Sequence, residues 1–254
     1  MSLDSSWLSF EGQFAERVCQ KLNAQSALPA PTPIFMQKAV SRPPKAGQGY
    51  KFGIFAGLHG DEEAGILATE ELMRWASTHP RELADFELHF YPVCNPTGCS
   101  DKTRHSQAGL DLNRHFWCGS TEPEIVYLES ELMREQFHGI VQLHSDDTSH
   151  GVYGFVSGSM LSELLLRPAL QKAAEFLPFN YNEVIDGFQA DQGIIRVCYE
   201  GILSAPATQR PKPLEIVFET PALAPIPQQV TATVEAVKTI LAEYRKLQAY
   251  AADL

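Results

Sequence analysis

Residues 51–77, KFGIFAGLHGDEEAGILATEELMRWAS, join two hydrophobic periodicities through a polar turn. KFGIFAGL is a short apolar run that reads as a buried strand. EEAGILATEELMRWAS reads as a helix, with Ala64, Ala68, Leu72 and Trp75 spaced along one face. The turn between them holds His59, Asp61 and Glu62, with Glu63 at the helix start. A surface turn has no need of a histidine there, and a core has no use for three adjacent carboxylates. A strand feeding a helix across such a turn is the unit of an α/β fold.

The rest of the chain repeats the alternation. ELHFYPV (87–93), IVQLH (140–144) and LEIVFE (214–219) read as strands. Thr121-x-x-Glu124 has the form of a capping box for a helix running to about His138, with Gly139 as its stop. MLSELLLRPALQKAAEFL (160–177) reads as a helix broken or kinked near Pro168. The last helix places Val230, Val234, Val237, Leu241, Tyr244 and Leu247 on one stripe. The pattern predicts an α/β single domain: a mixed, mostly parallel β-sheet flanked by helices on both faces. Residues 5–25 read as a helix and are followed by a Pro-rich link. The whole chain, 1–254, is therefore expected to be one domain with residues 1–45 as an N-terminal extension.

At 254 residues, the chain can bury roughly three quarters of its unfolded surface without a staple. Apolar residues make up 44% and charged residues 20%, an ordinary soluble composition. The net charge of −11 argues against nucleic acid or an anionic membrane as principal partner. No run of about 18 apolar residues exists. The start, MSLDSSWLSFEG, lacks the form of a secretory signal. Five cysteines (19, 94, 99, 118, 198) without a C-x-x-C pair suggest free thiols and a cytoplasmic location.

Ligands of open α/β sheets bind beyond the carboxyl ends of the strands. His59 and Glu62 follow one predicted strand, His144 closes a second, and Glu219 closes a third. In that third strand Leu214, Ile216 and Phe218 share one face, and Glu219 points to the other. His59, Glu62 and His144 form a two-histidine, one-carboxylate set, the kind of three-ligand set that catalytic zinc uses. Glu219 could take a proton from water and pass it to a leaving amine. Taken singly, each has a plainer reading: His144 as a core histidine, Glu219 as an edge carboxylate or cap before Pro221. Asp61 reads either as a helix cap or as a carboxylate bonded to a ligand.

The stretch NPTGCSDKTRHSQAGLDLNRHF (95–116) tips the balance. Loops longer than about 12–15 residues in compact domains are usually functional or disordered. Arg104, Asn113 and Arg114 within it suit a carboxylate-bearing substrate, because guanidinium pairs bidentately with carboxylate. The plainer alternative is that Arg114 pairs with Asp111 to shape the loop.

HGDE, NPTG, an Arg, DLNRHF, LHS and a late FE, in this order, resemble the zinc carboxypeptidase A-like superfamily. Its pattern runs H-x-x-E, N-P-x-G, Arg, N-R, H-S and a glutamate; here 75 residues separate His144 from Glu219. The resemblance implies one zinc ion on His59, Glu62 and His144, with Glu219 as general base. It gives Arg104 the developing oxyanion, and Asn113 and Arg114 the substrate's carboxylate. Thr97 stands where the pattern usually has Asp. The family's mobile tyrosine has its best positional candidate in Tyr199, with Tyr153 and Tyr181 as alternatives. The stretch from Tyr199 to Glu219, with Arg210 and Lys212, is where the family builds its side-chain pocket, although ATQRPKP reads equally as a solvated loop.

Within the superfamily, the loop is similar to that of murein peptide amidases, in which the Arg stands nine residues before the Asn, as Arg104 does before Asn113. The aspartoacylase and succinylglutamate desuccinylase branch, which deacylates amino acids, ranks second because its Arg stands closer. The expected activity is hydrolysis of a peptide or amide bond next to a free carboxylate, on a small peptide or an N-acyl amino acid. A non-catalytic, metal-dependent peptide or amino-acid binding module is the competing class. A structural metal site is the third; none of the cysteines has the spacing for it.

Overall fold

The computed structural model describes residues 38–41 and 49–251. The helix expected over 5–25 and most of the Pro-rich link lie outside the described residues.

Nine strands form one sheet. In chain order they are β1 (Ala39–Ser41), β2 (Tyr50–Ala56), β3 (Phe86–Tyr91), β4 (Gly139–Asp146), β5 (Tyr153–Gly158), β6 (Val184–Ile185), β7 (Phe188–Asp191), β8 (Ile194–Ile195) and β9 (Leu214–Pro221). Their spatial order is β1-β3-β2-β4-β9-β5-β8-β7-β6. The four strands β3-β2-β4-β9 are mutually parallel, while β1 and β5 run antiparallel to their inner neighbours β3 and β9. The sheet is thus mixed, with its parallel part at the centre. Residues 39–41, which the sequence reading assigned to the extension, pair with β3 as an edge strand.

The central strands are apolar nearly throughout because both of their faces are covered. Along β2, Phe52, Ile54 and Ala56 enter one core and Phe55 the other. The first core is closed by α1 (Glu63–Thr78), α4 (Leu161–Ala173) and α5 (Ile226–Ala251), and the second by α3 (Pro123–Glu135). The α5 stripe behaves as the periodicity predicts: Val234, Val237, Leu241 and Tyr244 are buried, with Val230 and Leu247 packed beside them.

One helix start and one helix interior differ from expectation. The α3 N-cap is Glu122, with Pro123 at the first helical position, so Thr121 does not cap it and no capping box forms. Proline preset at the start of a helix needs no N–H there, which moves the boundary past Thr121. The helix α4 runs through Pro168 as one element. Leu165, Leu166, Ala169, Leu170 and Ala173 are all buried along it, and that packing outweighs the roughly 3 kcal/mol a proline costs inside a helix. The cysteines also depart from the sequence reading: Cys94, Cys118 and Cys198 are free thiols, but Cys99 is disulfide-bonded. Among the described residues, no helix is long and apolar enough to cross a membrane.

The chain leaves β2 for β3 on one side and later enters β4 on the other. This reversal opens a crevice beyond the carboxyl ends of β2 and β4. On the far side of β9, β6, β7 and β8 form a meander. Its turns at Asp186-Gly187 (φ 52° and 79°) and Gln192-Gly193 (φ 48° and 71°) are the two-residue positive-φ kind that matches strand twist.

Leu241, 3% exposed in the α5 stripe, and Leu223, 78% exposed, separate packing from surface. Leu241→Ala should cost about 2–5 kcal/mol of stability, and Leu223→Ala no more than about 0.5 kcal/mol. Chemical denaturation of both variants checks this.

Candidate metal centre and substrate crevice

The turn after β2 is held from below by the NPTG segment. Gly57 adopts φ 62°, which glycine allows at no steric cost. Gly60 lies so close to α2 (Pro96–Asp101) that a Cβ would sit 1.9 Å from the Gly98 carbonyl carbon. Asn95 joins the two segments: its side chain donates to Leu58 O (3.2 Å) and accepts from Gly98 N (2.9 Å), capping α2. Thr97 holds the loop as well, accepting from Gln107 N at 3.0 Å.

His59, Glu62 and His144 come together at the crevice floor, all three buried. His59 Nδ1 lies 2.5 Å from Glu62 Oε1, and His144 Nδ1 lies 2.8 Å from Glu62 Oε2. Ligand atoms of the three all fall within 4.8 Å of one another. The outer edges of both rings are occupied: His59 Nε2 by Asp111 Oδ1 at 3.2 Å, and His144 Nε2 by the Asn113 amide at 3.3 Å. Both Nδ1 atoms therefore converge with a carboxylate, a donor set that fits a divalent metal ion of the zinc type.

Asp61 takes neither role proposed for it. The N-cap of α1 is Glu62, and Asp61 is exposed at the crevice rim. The carboxylate that orients a candidate ligand is Asp111, whose Oδ2 also takes two bonds from Arg104, at 3.0 and 2.9 Å. Asp111 pairs with Arg104 and not with Arg114. Arg114 instead donates to Asn113 O at 2.8 Å, and its guanidinium lies 4.0 Å from the centre of the Tyr199 ring. Asn113, 5% exposed, accepts from Leu203 N at 2.8 Å through its side-chain oxygen, so its amide is engaged on both sides. It lies at the crevice wall beside Arg114.

Glu219 stands in direct register with His144 on β4 and with Tyr153 on β5. Neighbouring strands in register point their side chains to the same face, so Glu219 opens into the crevice as the alternation predicts. Of the three candidate tyrosines, Tyr199 and Tyr153 line the crevice, while Tyr181 is 78% exposed and stacks on Phe179 outside it. The Tyr153 hydroxyl donates to Asp146 Oδ2 at 2.9 Å. Arg210 and Lys212 are exposed and lie outside the crevice wall; Arg210 donates to Ala207 O and Gln209 O of its own loop. From that stretch Ile202 reaches the wall.

The crevice has a volume of about 520 Å³. Its charges divide the titration of its members. Burial would raise the Glu62 carboxyl, but the two histidines more than offset this and hold it at about 2. Burial pulls His144 down, against the pull of Glu62. For His59 the burial effect is outweighed by Glu62 and Asp111, which raise it. Glu219 is pushed well up, first by burial and then by the charges of Glu62, Asp146 and Asp186, against Arg104. Asp146 and Asp186, which no sequence motif marks, line the crevice together with Tyr153. The cues to the two aspartates were thin: Asp146 stands two residues beyond His144, and Asp186 in an ordinary Asp-Gly turn.

This fold and site define a hydrolase of the zinc carboxypeptidase-like type. The sequence profile of the succinylglutamate desuccinylase/aspartoacylase catalytic domain matches residues 48–177, just over half the chain. The chain belongs to that family, the branch that the Arg104–Asn113 spacing had ranked second. No curated protein sequence matches at a significant level. Among solved structures, it is similar to a candidate metallopeptidase from Shewanella baltica, with 22% identity, 90% of each chain covered and a TM-score of 0.68. A candidate metallopeptidase from Shewanella amazonensis gives 20% identity, coverage of 89% of this chain and 91% of that one, and a TM-score of 0.70. A metallo-carboxypeptidase from Pseudomonas aeruginosa, solved with (2-guanidinoethylmercapto)succinic acid, gives 17%, 91%, 68% and 0.65 in the same order. At these identities the likeness is one of fold.

Asp111 and Asp61 make a paired test. Asp111→Asn should weaken metal binding by about 10–100-fold, the usual effect of losing a carboxylate behind a ligating histidine. Asp61→Asn should leave it unchanged. Competition against a chromophoric chelator measures both.

Proposed function

We propose that this protein is a zinc-dependent hydrolase that cleaves an amide bond next to a free carboxylate. The observation that carries this reading is the convergence of His59, Glu62 and His144, with Glu219 in register beside His144. His59, Glu62 and His144 would hold one ion, which supplies Lewis acidity: it polarises a carbonyl and makes water more acidic. Glu219 takes a proton from the attacking water and delivers it to the leaving amine. Its raised proton affinity, set by burial and neighbouring carboxylates, suits that exchange. Arg104, fixed by Asp111 within 3.3 Å of His59, faces the oxygen where negative charge develops. Arg114, braced on Tyr199, receives the substrate's carboxylate, and Asn113 keeps Arg114 and His144 in place.

Family membership favours an N-acyl amino acid as the substrate. The nine-residue spacing of Arg104 and Asn113 supports a second reading, a peptide amidase or carboxypeptidase acting on a small peptide. A turnover screen of N-acyl amino acids, γ-glutamyl peptides and C-terminal peptides separates them. Ligand binding without turnover on any of these would instead indicate a binding module.

Chelation should abolish activity and zinc should restore it. Glu219→Gln should bind metal normally yet lose about 10²–10⁴-fold in kcat; a fully active variant would rule Glu219 out as the base. Arg114→Met should raise KM with a smaller change in kcat, since it removes a contact made equally in the ground and transition states.

A further inference from the structure

The crevice extends past its proposed base. Val217 precedes Glu219 by two residues on β9 and shares its face, and Phe155 stands opposite Val217 on β5 as Tyr153 stands opposite Glu219. Two residues along a strand put this pair about 7 Å from Glu219. Cys198 and Ile202, on the segment that carries Tyr199, pack against the cluster to which the pair belongs. All four line the crevice, and Phe155 and Val217 are buried. The segment is fixed in place: a Cβ on Gly201 would sit 2.2 Å from Arg114 O, and Tyr199 packs on Phe155 with ring centres 6.3 Å apart.

Arg114 lies 4.0 Å from the centre of the Tyr199 ring, so a carboxylate received there holds the rest of the amino acid beside this apolar wall. The charged groups nearby offer its side chain no partner. Seven carboxylates line the crevice against two guanidiniums. Arg104 is clamped by Asp111, and Arg114 takes the substrate's own carboxylate. Among the described residues that line the crevice, no further Lys or Arg is left for a side-chain carboxylate. One step beyond Val217, Glu215 Oε1 accepts from Ala205 N and Oε2 from the Ser157 hydroxyl, both at 2.7 Å, so both of its oxygens are engaged. Asp186 is exposed at the hydroxyl end of Tyr199, which donates to its carbonyl at 3.2 Å.

We propose that the amino acid held here by its carboxylate carries an uncharged, apolar side chain of leucine or phenylalanine size, seated on Phe155, Val217, Cys198 and Ile202. The proposal rests on Arg114 receiving that carboxylate, as in the proposed function. It narrows the substrate of the hydrolase to N-acyl or peptidyl derivatives of apolar amino acids. A side-chain carboxylate would be buried against this wall without a partner, and an ammonium would lose its hydration for no ion pair. This sets the chain apart from the aspartate and glutamate derivatives in the name of its family.

The test is calorimetric titration of the zinc-loaded full chain with free leucine, phenylalanine, aspartate, glutamate, lysine and glycine, which have no acyl bond to hydrolyse. Leucine and phenylalanine should bind at least about 10-fold more tightly than the other four, the scale of one buried apolar side chain. Ile202→Ala should erode that margin with glycine binding unchanged. Ile202→Arg, at the same partly exposed position, should reverse it in favour of aspartate. Circular dichroism checks the folding of both variants. The same preference should appear in kcat/KM for the N-acetyl derivatives. A preference in binding without turnover of any derivative would sink the hydrolase reading and support the side-chain pocket. Aspartate, glutamate or lysine bound as tightly as leucine, or no binding by any of the six, would overturn the pocket whether or not the protein hydrolyses amides.

Discussion

One carboxylate held between two imidazoles organises this protein. Glu62 is 8% exposed, and an uncompensated charge buried to that extent would cost several kcal/mol. It is tolerated because His59 and His144 reach it from the ends of two parallel strands. That meeting requires β2 and β4 to pair in their observed register, Ala56 opposite Leu143. A shift of one residue would turn His144 to the other face. The apolar packing on both sides of the sheet fixes the register, and so the core sets the geometry of the polar centre.

Each residue of that centre is held by a second interaction. Asp111 bonds the outer edge of His59 and clamps Arg104. Asn113 bonds the outer edge of His144 and the backbone of Leu203. The segment 199–205 is pressed against 113–116, with Phe116 N donating to Gly201 O at 2.9 Å, and this contact places Tyr199 under Arg114. The long polar stretch from 95 to 116 is therefore the frame of the site, ordered by a short helix, a 3-10 turn at Leu112–Arg114 and side-chain bonds to its own backbone. The crevice lining carries both signs of charge, Arg104 and Arg114 with Asp146, Asp186 and Glu219.

The local code of this chain was legible where one residue's environment depends on its near neighbours. The β2 and α1 pair, the α5 stripe, the outward turn of Glu219 and the set His59, Glu62 and His144 all follow from periodicity and from side-chain chemistry at strand ends. Helix boundaries were less legible. At Thr121 the capping pattern competed with a proline two residues on, and the proline won. At Pro168 a local penalty was outweighed by contacts with α5 that no local window contains. The disulfide at Cys99 was likewise invisible to spacing.

By itself, then, the sequence determined the alternating α/β order, the residue types of the centre and the strand ends that carry them, because these are properties of short segments. Tertiary structure alone decided which partner each group took. Asp111 went to His59 and Arg104, Arg114 went to Tyr199, and Asp61 stayed at the rim. Partner choice depends on strand order and register, and those are fixed only when both faces of the sheet are buried together.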